Sequence, residues 1–130
     1  MTVLLACIGN MAAAQGEMPN QPSVMVFFDW GRPELRRDDE ATLDRVAAAY
    51  AMKGATRLLL EGHTDRSGSA ATNRAAGLRR AEEVRHQLMK RAIPGNAMRI
   101  VSFGEDRPLV PTADGVREVQ NRRVVIVFEE

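Results

Sequence analysis

The feature that most constrains the fold is residues 58–65, LLLEGHTD, with the helix-forming stretch that follows them. An apolar, strand-like run ends at Gly62, and a His-Thr-Asp tripeptide, residues 63–65, enters a loop. The long amphipathic segment that comes next is typical of a helix. This order predicts a strand–loop–helix unit with a carboxylate, Asp65, at the carboxyl end of the strand.

A guanidinium accompanies that carboxylate. Arg80 lies fifteen residues after Asp65, on the flank of the helix that follows. A fixed carboxylate beside a fixed guanidinium can bind a small zwitterion, because each charged end of the ligand meets its opposite charge. Neither a nucleophile nor a metal-ligand cluster accompanies the pair in the sequence. The pattern therefore favours a binding site over a catalytic one.

Length and composition exclude several classes of protein. The 130 residues indicate one domain with its own core. The formal net charge of +1 gives the whole chain no field that favours nucleic acid or anionic lipid. The single cysteine, Cys7, excludes an internal disulfide. No stretch reaches the roughly 20 apolar residues that a membrane-spanning helix needs.

The N-terminal segment predicts export. Residues 1–14 carry no charged side chain, and three alanines precede Gln15, a pattern typical of signal-peptide cleavage. The segment is short and lacks a basic beginning, which a truncated leader would explain. Leu4 to Cys7 also resembles a lipobox, in which the cysteine would be acylated, so lipidated and soluble forms both stay open. Residues 15–23, with two prolines, read as a linker.

The remaining pattern alternates strands and helices. In chain order the predicted elements are a strand at 24–28, a helix from Asp38 or Asp39 to Gly54, a strand at 57–61, a helix from Ser69 to Arg91, and strands at 99–103 and 124–128. Each helix has one apolar stripe, with members Leu43, Val46, Ala47 and Tyr50 in the first and Leu78, Ala81, Val84 and Leu88 in the second. The uninterrupted apolar character of 124–128 predicts a central strand. The order β-α-β-α-β, a long loop, then β predicts an α/β fold, a two-layer α/β sandwich.

Helix geometry separates the two neighbouring arginines. At 100° per residue, Arg79 lies almost opposite the apolar face and is expected in solvent. Arg80 lies about a quarter-turn from that face, on the same flank as Asn73. From spacing alone two alternatives stay open. Arg80 could instead pair with a neighbouring carboxylate to hold the helix, and Asp65 could serve only to organise its turn.

Four linked motifs resemble, in order, the OmpA-like (OmpA/MotB/Pal) peptidoglycan-binding domain family. They are EGHTD at 61–65, Gly68 with Asn73, RRA at 79–81 and NRRV at 121–124. VFFD at 26–29 resembles the first strand of the family, and DGVRE at 114–118 resembles a variant of many alphaproteobacterial members. The resemblance covers residues 24–130 and implies an OmpA-like fold. The family often has Tyr before the asparagine and Leu-Ser after it, where this chain has Thr72 and Ala76-Gly77.

The resemblance also implies a ligand and a set of contacts. Family members hold the diaminopimelate of the peptidoglycan stem peptide without covalent chemistry. By analogy Asp65 would bind the ammonium of the ligand and Arg80 its carboxylate. The remaining contacts implied are hydrogen bonds from Asn73 and from the backbone around Thr64 and Asp29, with Arg123 closing the pocket. The implied location is the periplasm, with association with the outer membrane left open.

Other functions receive less support from the sequence. His63 and Glu61 share a strand face, but no further histidine or cysteine is near enough in sequence to complete a metal site, so neither metal nor cofactor is expected. Arg122 and Arg123 lack the interleaved aromatics of a nucleic-acid surface. The functional alternatives are a protein-interaction adaptor with a degenerate pocket and a cell-wall hydrolase. Oligomeric state and protein partners are left open.

Overall fold

The computed structural model describes residues 21–54 and 56–129. The predicted signal peptide at 1–14, the cleavage before Gln15 and the acylation of Cys7 lie outside the described residues. So does most of the predicted linker. These stay predictions.

The described residues form an α/β domain with four strands and two long helices, as the sequence predicts. In chain order these are β1 (Ser23–Phe27), α1 (Glu40–Lys53), β2 (Arg57–His63), α2 (Ala70–Met89), β3 (Met98–Gly104) and β4 (Arg123–Glu129). Ser69 caps α2 as expected, because its hydroxyl accepts a hydrogen bond from the backbone N–H of Thr72 at 3.1 Å. Asp39 precedes α1, but its carboxylate accepts from the N–H of Phe27 at 3.0 Å rather than from the helix.

The strand order in the sheet is β1-β4-β2-β3. The last strand of the chain lies inside the sheet, antiparallel to both β1 and β2, which confirms the central position that its apolar run predicts. β2 and β3 are parallel and are joined by α2, as a parallel pair requires a crossover. Because β1 and β2 both run antiparallel to β4, their carboxyl ends meet at one edge of the sheet.

Both helices pack on one face of the sheet. The buried apolar side chains of this core are Val26, Phe28, Leu43, Val46, Leu58, Leu60, Ala81, Val84, Leu88, Ile93, Met98, Val124, Ile126 and Phe128. Leu78, predicted to lie on the apolar face of α2, is instead 42% exposed. The buried stripe of α2 passes through Gly77, which is buried in its place. The predicted stripe is therefore right at Ala81, Val84 and Leu88 and wrong only at Leu78, because a glycine carries no hydrophobic signal.

Gly77 meets another glycine across the interface between α2 and β2. A Cβ added at Gly62 would overlap the backbone carbonyl of Gly77, and one added at Gly77 would overlap the hydroxyl of Ser102. A glycine inside a helix costs about 1 kcal/mol relative to alanine. Here the absence of a side chain at both glycines allows the helix backbone to contact the strand backbone. The contact holds the N-terminal half of α2 against the carboxyl end of β2.

Candidate functional site

A cavity of about 210 Å³ lies at the edge of the sheet where β1 and β2 end. Three segments form its walls: the residues after β1, the loop after β2 and the N-terminal half of α2. The lining residues are Trp30, Gly31, Arg32, Pro33, Thr64, Asp65, Ser67, Gly68, Thr72, Asn73, Ala76, Arg79 and Arg80. Of the six residues that the resemblance implies, the cavity brings together four: Asp65, Arg80, Asn73 and Thr64.

Asp65 is held by four hydrogen bonds within the protein. One carboxylate oxygen accepts from the N–H and the hydroxyl of Ser67, at 3.1 and 2.6 Å. The other accepts from the N–H of Glu118 at 3.1 Å and from the guanidinium of Arg122 at 2.7 Å. Burial alone would raise the pKa of Asp65, but the hydrogen bonds from Ser67 and Arg122 outweigh it and lower that pKa. The carboxylate is ionised, and it organises its own turn.

Arg80 stands in contrast, because its charge has no such partner. It is 5% exposed, and among the described residues its guanidinium donates to two backbone carbonyls alone, at 3.4 Å to His63 and 3.5 Å to Arg32. No carboxylate among residues 21–54 and 56–129 forms a salt bridge with it. The alternative in which Arg80 pins the helix through an ion pair is therefore not what the described residues show.

The electrostatic surroundings of Arg80 disfavour its charge. Burial lowers its pKa to about 10, with further lowering by the charges of Arg122 and Arg79 and a partial opposing effect of Asp65. A buried cation without a paired anion is costly. An anionic group that entered the cavity would relieve this cost.

Asn73 and Thr64 add polar groups to the same wall. The side-chain amide of Asn73 donates to Glu105 at 2.7 Å, which fixes the orientation of its oxygen. The backbone N–H of Thr64 is used by the carbonyl of Gly104, at 2.8 Å. Its buried hydroxyl has no hydrogen-bond partner in the structure. The group that Thr64 can offer a ligand is therefore this hydroxyl rather than its backbone N–H.

Two of the residues expected in the pocket lie outside it. Asp29 is exposed, 3.8 Å from the guanidinium of Arg36, and it does not line the cavity. Arg123 does not line it either, and its guanidinium donates to the carbonyl of Arg107 at 3.1 Å. Arg122 is the arginine that reaches the site, through Asp65 and through the carbonyl of Phe28 at 3.0 Å.

The reason is the alternation of side chains along a strand. Val124 and Ile126 face the helices, so residues of the same parity, which include Arg122, point to the cavity side. Arg123 has the opposite parity and points to the other face of the sheet. The buried run that predicts β4 already contains this information, but the sequence motif alone does not separate two adjacent arginines.

Sequence reasoning missed Trp30 and Arg32 and placed Arg79 in solvent. Arg79 is exposed, yet it lines the cavity together with Arg32. Trp30 is 48% exposed at the rim, where its indole N–H donates to the hydroxyl of Ser67 at 3.0 Å and the guanidinium of Arg117 lies 3.5 Å over its ring. The signal that would have found these residues is the strand order, because it places the loop after β1 beside the loop after β2.

With this geometry in place, comparison with known proteins decides the family. The model of the OmpA family matches residues 27–122. The chain belongs to the OmpA family.

Relatives and solved structures agree with this membership. The chain is 40% identical to a peptidoglycan-associated lipoprotein of Rhizobium meliloti (strain 1021) over 79% of its own length and 58% of that relative, so it spans less than two thirds of the relative. The crystal structure of the peptidoglycan-associated lipoprotein from Burkholderia pseudomallei superimposes with a TM-score of 0.75 at 28% identity, covering 86% of this chain and 92% of that one. The periplasmic domain of Helicobacter pylori MotB (residues 78–256) shares the fold, with a TM-score of 0.68 at 19% identity, covering 84% of this chain and 76% of that one.

Two further observations describe this OmpA-family chain. Within residues 21–54 and 56–129, no helix is long and apolar enough to cross a membrane. In the same described ranges, no three His, Cys, Asp or Glu side chains cluster in a way that could hold a metal ion. The chemistry available at the cavity is therefore that of Asp65, three arginines and the neutral hydrogen-bonding side chains.

Proposed function

We propose that this OmpA-family domain binds peptidoglycan non-covalently, through the diaminopimelate of the stem peptide, and so anchors the cell envelope to the cell wall. The observation that carries the proposal is Arg80, a buried cation that lines the cavity and pairs with no described carboxylate. Relatives named peptidoglycan-associated lipoprotein support the choice of polymer. The location that follows is the periplasm, in association with the outer membrane.

The carboxylate of the ligand is bound by Arg80. The free end of diaminopimelate carries an amine and a carboxylate on one carbon. A guanidinium matches a carboxylate with two parallel hydrogen bonds, and low exposure strengthens them. Lysine at the same stem position lacks this carboxylate and would leave Arg80 buried and unpaired. A site built for a polar group discriminates strongly against its absence.

The ammonium of the ligand is bound by Asp65 after one of its present donors moves. All four hydrogen-bonding positions of this carboxylate are in use. The Ser67 hydroxyl is the donor that leaves at least cost, because it rotates about one bond and it also lines the cavity. The other donors are two backbone N–H groups and the guanidinium of Arg122. Asn73 and the Thr64 hydroxyl complete the contacts.

Two other functions remain as competitors to binding. A hydrolase that works through paired carboxylates or a Ser/His pair needs these groups next to Asp65, and the described residues that line the cavity include neither a second carboxylate nor a histidine. An adaptor with a degenerate pocket would keep a protein partner when the pocket is altered. The structure offers no contact that favours either over the binding of a stem peptide.

The test is co-sedimentation with purified sacculi, with and without free diaminopimelate. Wild type should sediment, free diaminopimelate should compete, and Arg80→Gln should remain in the supernatant. Lys90→Gln is a matched control, because it removes one positive charge from an exposed position just beyond α2. Release of soluble muropeptides would instead identify a hydrolase. Sedimentation of Arg80→Gln at the level of wild type would refute the proposed site.

A further inference from the structure

We propose that Arg79, assisted by Arg32, binds a second carboxylate, so that the cavity prefers stem peptides that end at diaminopimelate. This inference rests on the proposed function and adds a specificity determinant to the same site. Diaminopimelate carries a carboxylate at each end of its chain. The inner one is free only when no residue follows, since otherwise it forms a peptide bond.

The first argument is the charge balance of the cavity. Its charged lining consists of Arg32, Arg79, Arg80 and Asp65. Asp65 is already matched by Arg122, outside the lining, at 2.7 Å. A ligand with a single ammonium and a single carboxylate brings no net charge to this excess of arginines. A second carboxylate on the ligand supplies a negative charge that compensates this excess positive charge.

The second argument is that two of these arginines are uncommitted. Neither the Arg79 nor the Arg32 side chain makes a salt bridge or a hydrogen bond with any group in the part of the chain that the structure describes. Other arginines of the domain, such as Arg74 and Arg91, do pair with carboxylates, at 3.0 and 2.8 Å. Arg79 also adds to the repulsion that lowers the pKa of Arg80. An anion between the two guanidinium groups removes that repulsion.

The third argument locates the second carboxylate. Arg79 also borders an adjoining, shallower groove lined by Pro33, Glu34, Glu82 and Glu83. The three glutamates disfavour a carboxylate in that groove, because like charges repel. The side of Arg79 that faces Arg80 and Arg32 is therefore the side that a carboxylate occupies. The second carboxylate thus lies at the mouth of the cavity, and Arg80 binds the first one deeper inside.

Calorimetry with two synthetic peptides tests this inference. Both are L-alanyl-γ-D-glutamyl-diaminopimelate, one with its terminal main-chain carboxylate free and the other with that carboxylate converted to an amide. Wild type should bind the free acid about tenfold more tightly, the loss expected for one charge-assisted hydrogen bond at a partly exposed position. Arg79→Gln should bind both peptides equally, at the level of wild type with the amide. Arg79→Lys should keep most of the preference, and Lys90→Gln should keep all of it.

The outcomes separate this inference from the proposed function. If wild type binds both peptides equally while Arg80→Gln loses both, the second carboxylate site is wrong and the diaminopimelate site stands. A preference that survives in Arg79→Gln also overturns the inference. If wild type binds neither peptide, both proposals fail. Because the Arg79 side chain is exposed, Arg79→Gln should have nearly the melting temperature of wild type, so loss of folding does not confuse the result.

Discussion

Each face of the sheet carries a cluster of charged residues near the carboxyl ends of β1 and β2, and the arginines of the two clusters have different surroundings. On the helix side, Asp65 pairs with Arg122, and Arg80 beside the cavity forms a salt bridge with no carboxylate in the described part of the chain. On the opposite face, Glu61 lies 3.5 Å from His63, and its charge also acts on the buried Arg123.

Aromatic packing closes this second cluster. The His63 ring stacks on Phe103 with centroids 5.4 Å apart, and the guanidinium of Arg107 lies 3.8 Å over the same ring. Phe103 is half-buried, and these residues line neither the cavity nor the adjoining groove. Arg123, like Arg80, makes no salt bridge among the described residues, so what separates the two arginines is that Arg80 lines the cavity, where a ligand can reach it, and Arg123 does not. Burial alone does not separate the two, since Arg80 and Arg123 are both buried.

The largest effect should come from breaking the paired arginine on the helix side. Arg122→Gln removes the ion pair with Asp65 and the hydrogen bond to the carbonyl of Phe28. It leaves the Asp65 carboxylate buried without its cation, which should cost about 3 kcal/mol in the free energy of unfolding. Urea unfolding measures the loss.

Arg123→Gln is the matched control for this change, because it alters the adjacent arginine on the other face. It loses one hydrogen bond to a backbone carbonyl and the attraction of Glu61, but burial also lowers the pKa of Arg123, so the net loss should be below about 1 kcal/mol. Equal losses for the two variants would show that the difference between the faces is not energetic.

The second effect should separate binding from stability at Arg80. Arg80→Gln removes the guanidinium that binds the ligand carboxylate, so affinity for a diaminopimelate peptide should fall about a hundredfold. The free energy of unfolding should stay the same or rise, because burial lowers the pKa of Arg80 to about 10 and the charged form is therefore a cost to the fold. Calorimetry and urea unfolding on one preparation measure both quantities.

A large loss of stability in Arg80→Gln would place Arg80 with the stabilising arginines, and the contrast with Arg122 would disappear. The pH dependence gives a further check. Because its folded pKa is lowered, binding through Arg80 should weaken as the pH rises above about 10. Lys90→Gln should change neither the affinity nor its pH dependence.

The smallest effect should come from His63. Burial lowers the pKa of His63, with Glu61 opposing the shift and Arg123 adding to it. The unfolded chain therefore binds a proton near pH 6.5 while the folded protein does not, so stability should fall as the pH drops below that value. In His63→Gln, the melting temperature should fall by a few degrees less between pH 7 and pH 5 than it does in wild type. An unchanged slope in that variant would assign the dependence to other groups.

The sequence predicts the elements of this fold well because each has a periodic or punctuating signal. The apolar run of β4 indicated a central strand, and Ser69 marked the beginning of α2. Failures occurred where a residue carries no hydrophobic signal. Gly77 lies in the buried stripe where Leu78 was expected, since close backbone contact leaves no trace in an apolar pattern.

The candidate site was predicted in part for a related reason. Asp65, Arg80, Asn73 and Thr64 come from one strand–loop–helix unit, so their proximity follows from local geometry. Trp30 and Arg32 come from another part of the chain, and their place depends on a strand order that spacing does not reveal. A motif gives residue types without the parity of the strand, so it does not separate Arg123, which lies away from the cavity, from Arg122, which contacts Asp65.

The contact between Gly62 and Gly77 makes the two halves of the cavity separately adjustable. Asp65 belongs to the loop after β2, whereas Asn73, Arg79 and Arg80 belong to the helix whose height above the sheet is set at Gly77. Gly62→Ala would place a Cβ against the backbone carbonyl of Gly77 and lift the helix with its arginines, while the carboxylate stayed tied to Arg122. One backbone contact thus sets the distance between the wall that carries Asp65 and the wall that carries Arg79 and Arg80. That distance could be lengthened, to accept a bulkier amino acid, without altering any charged residue.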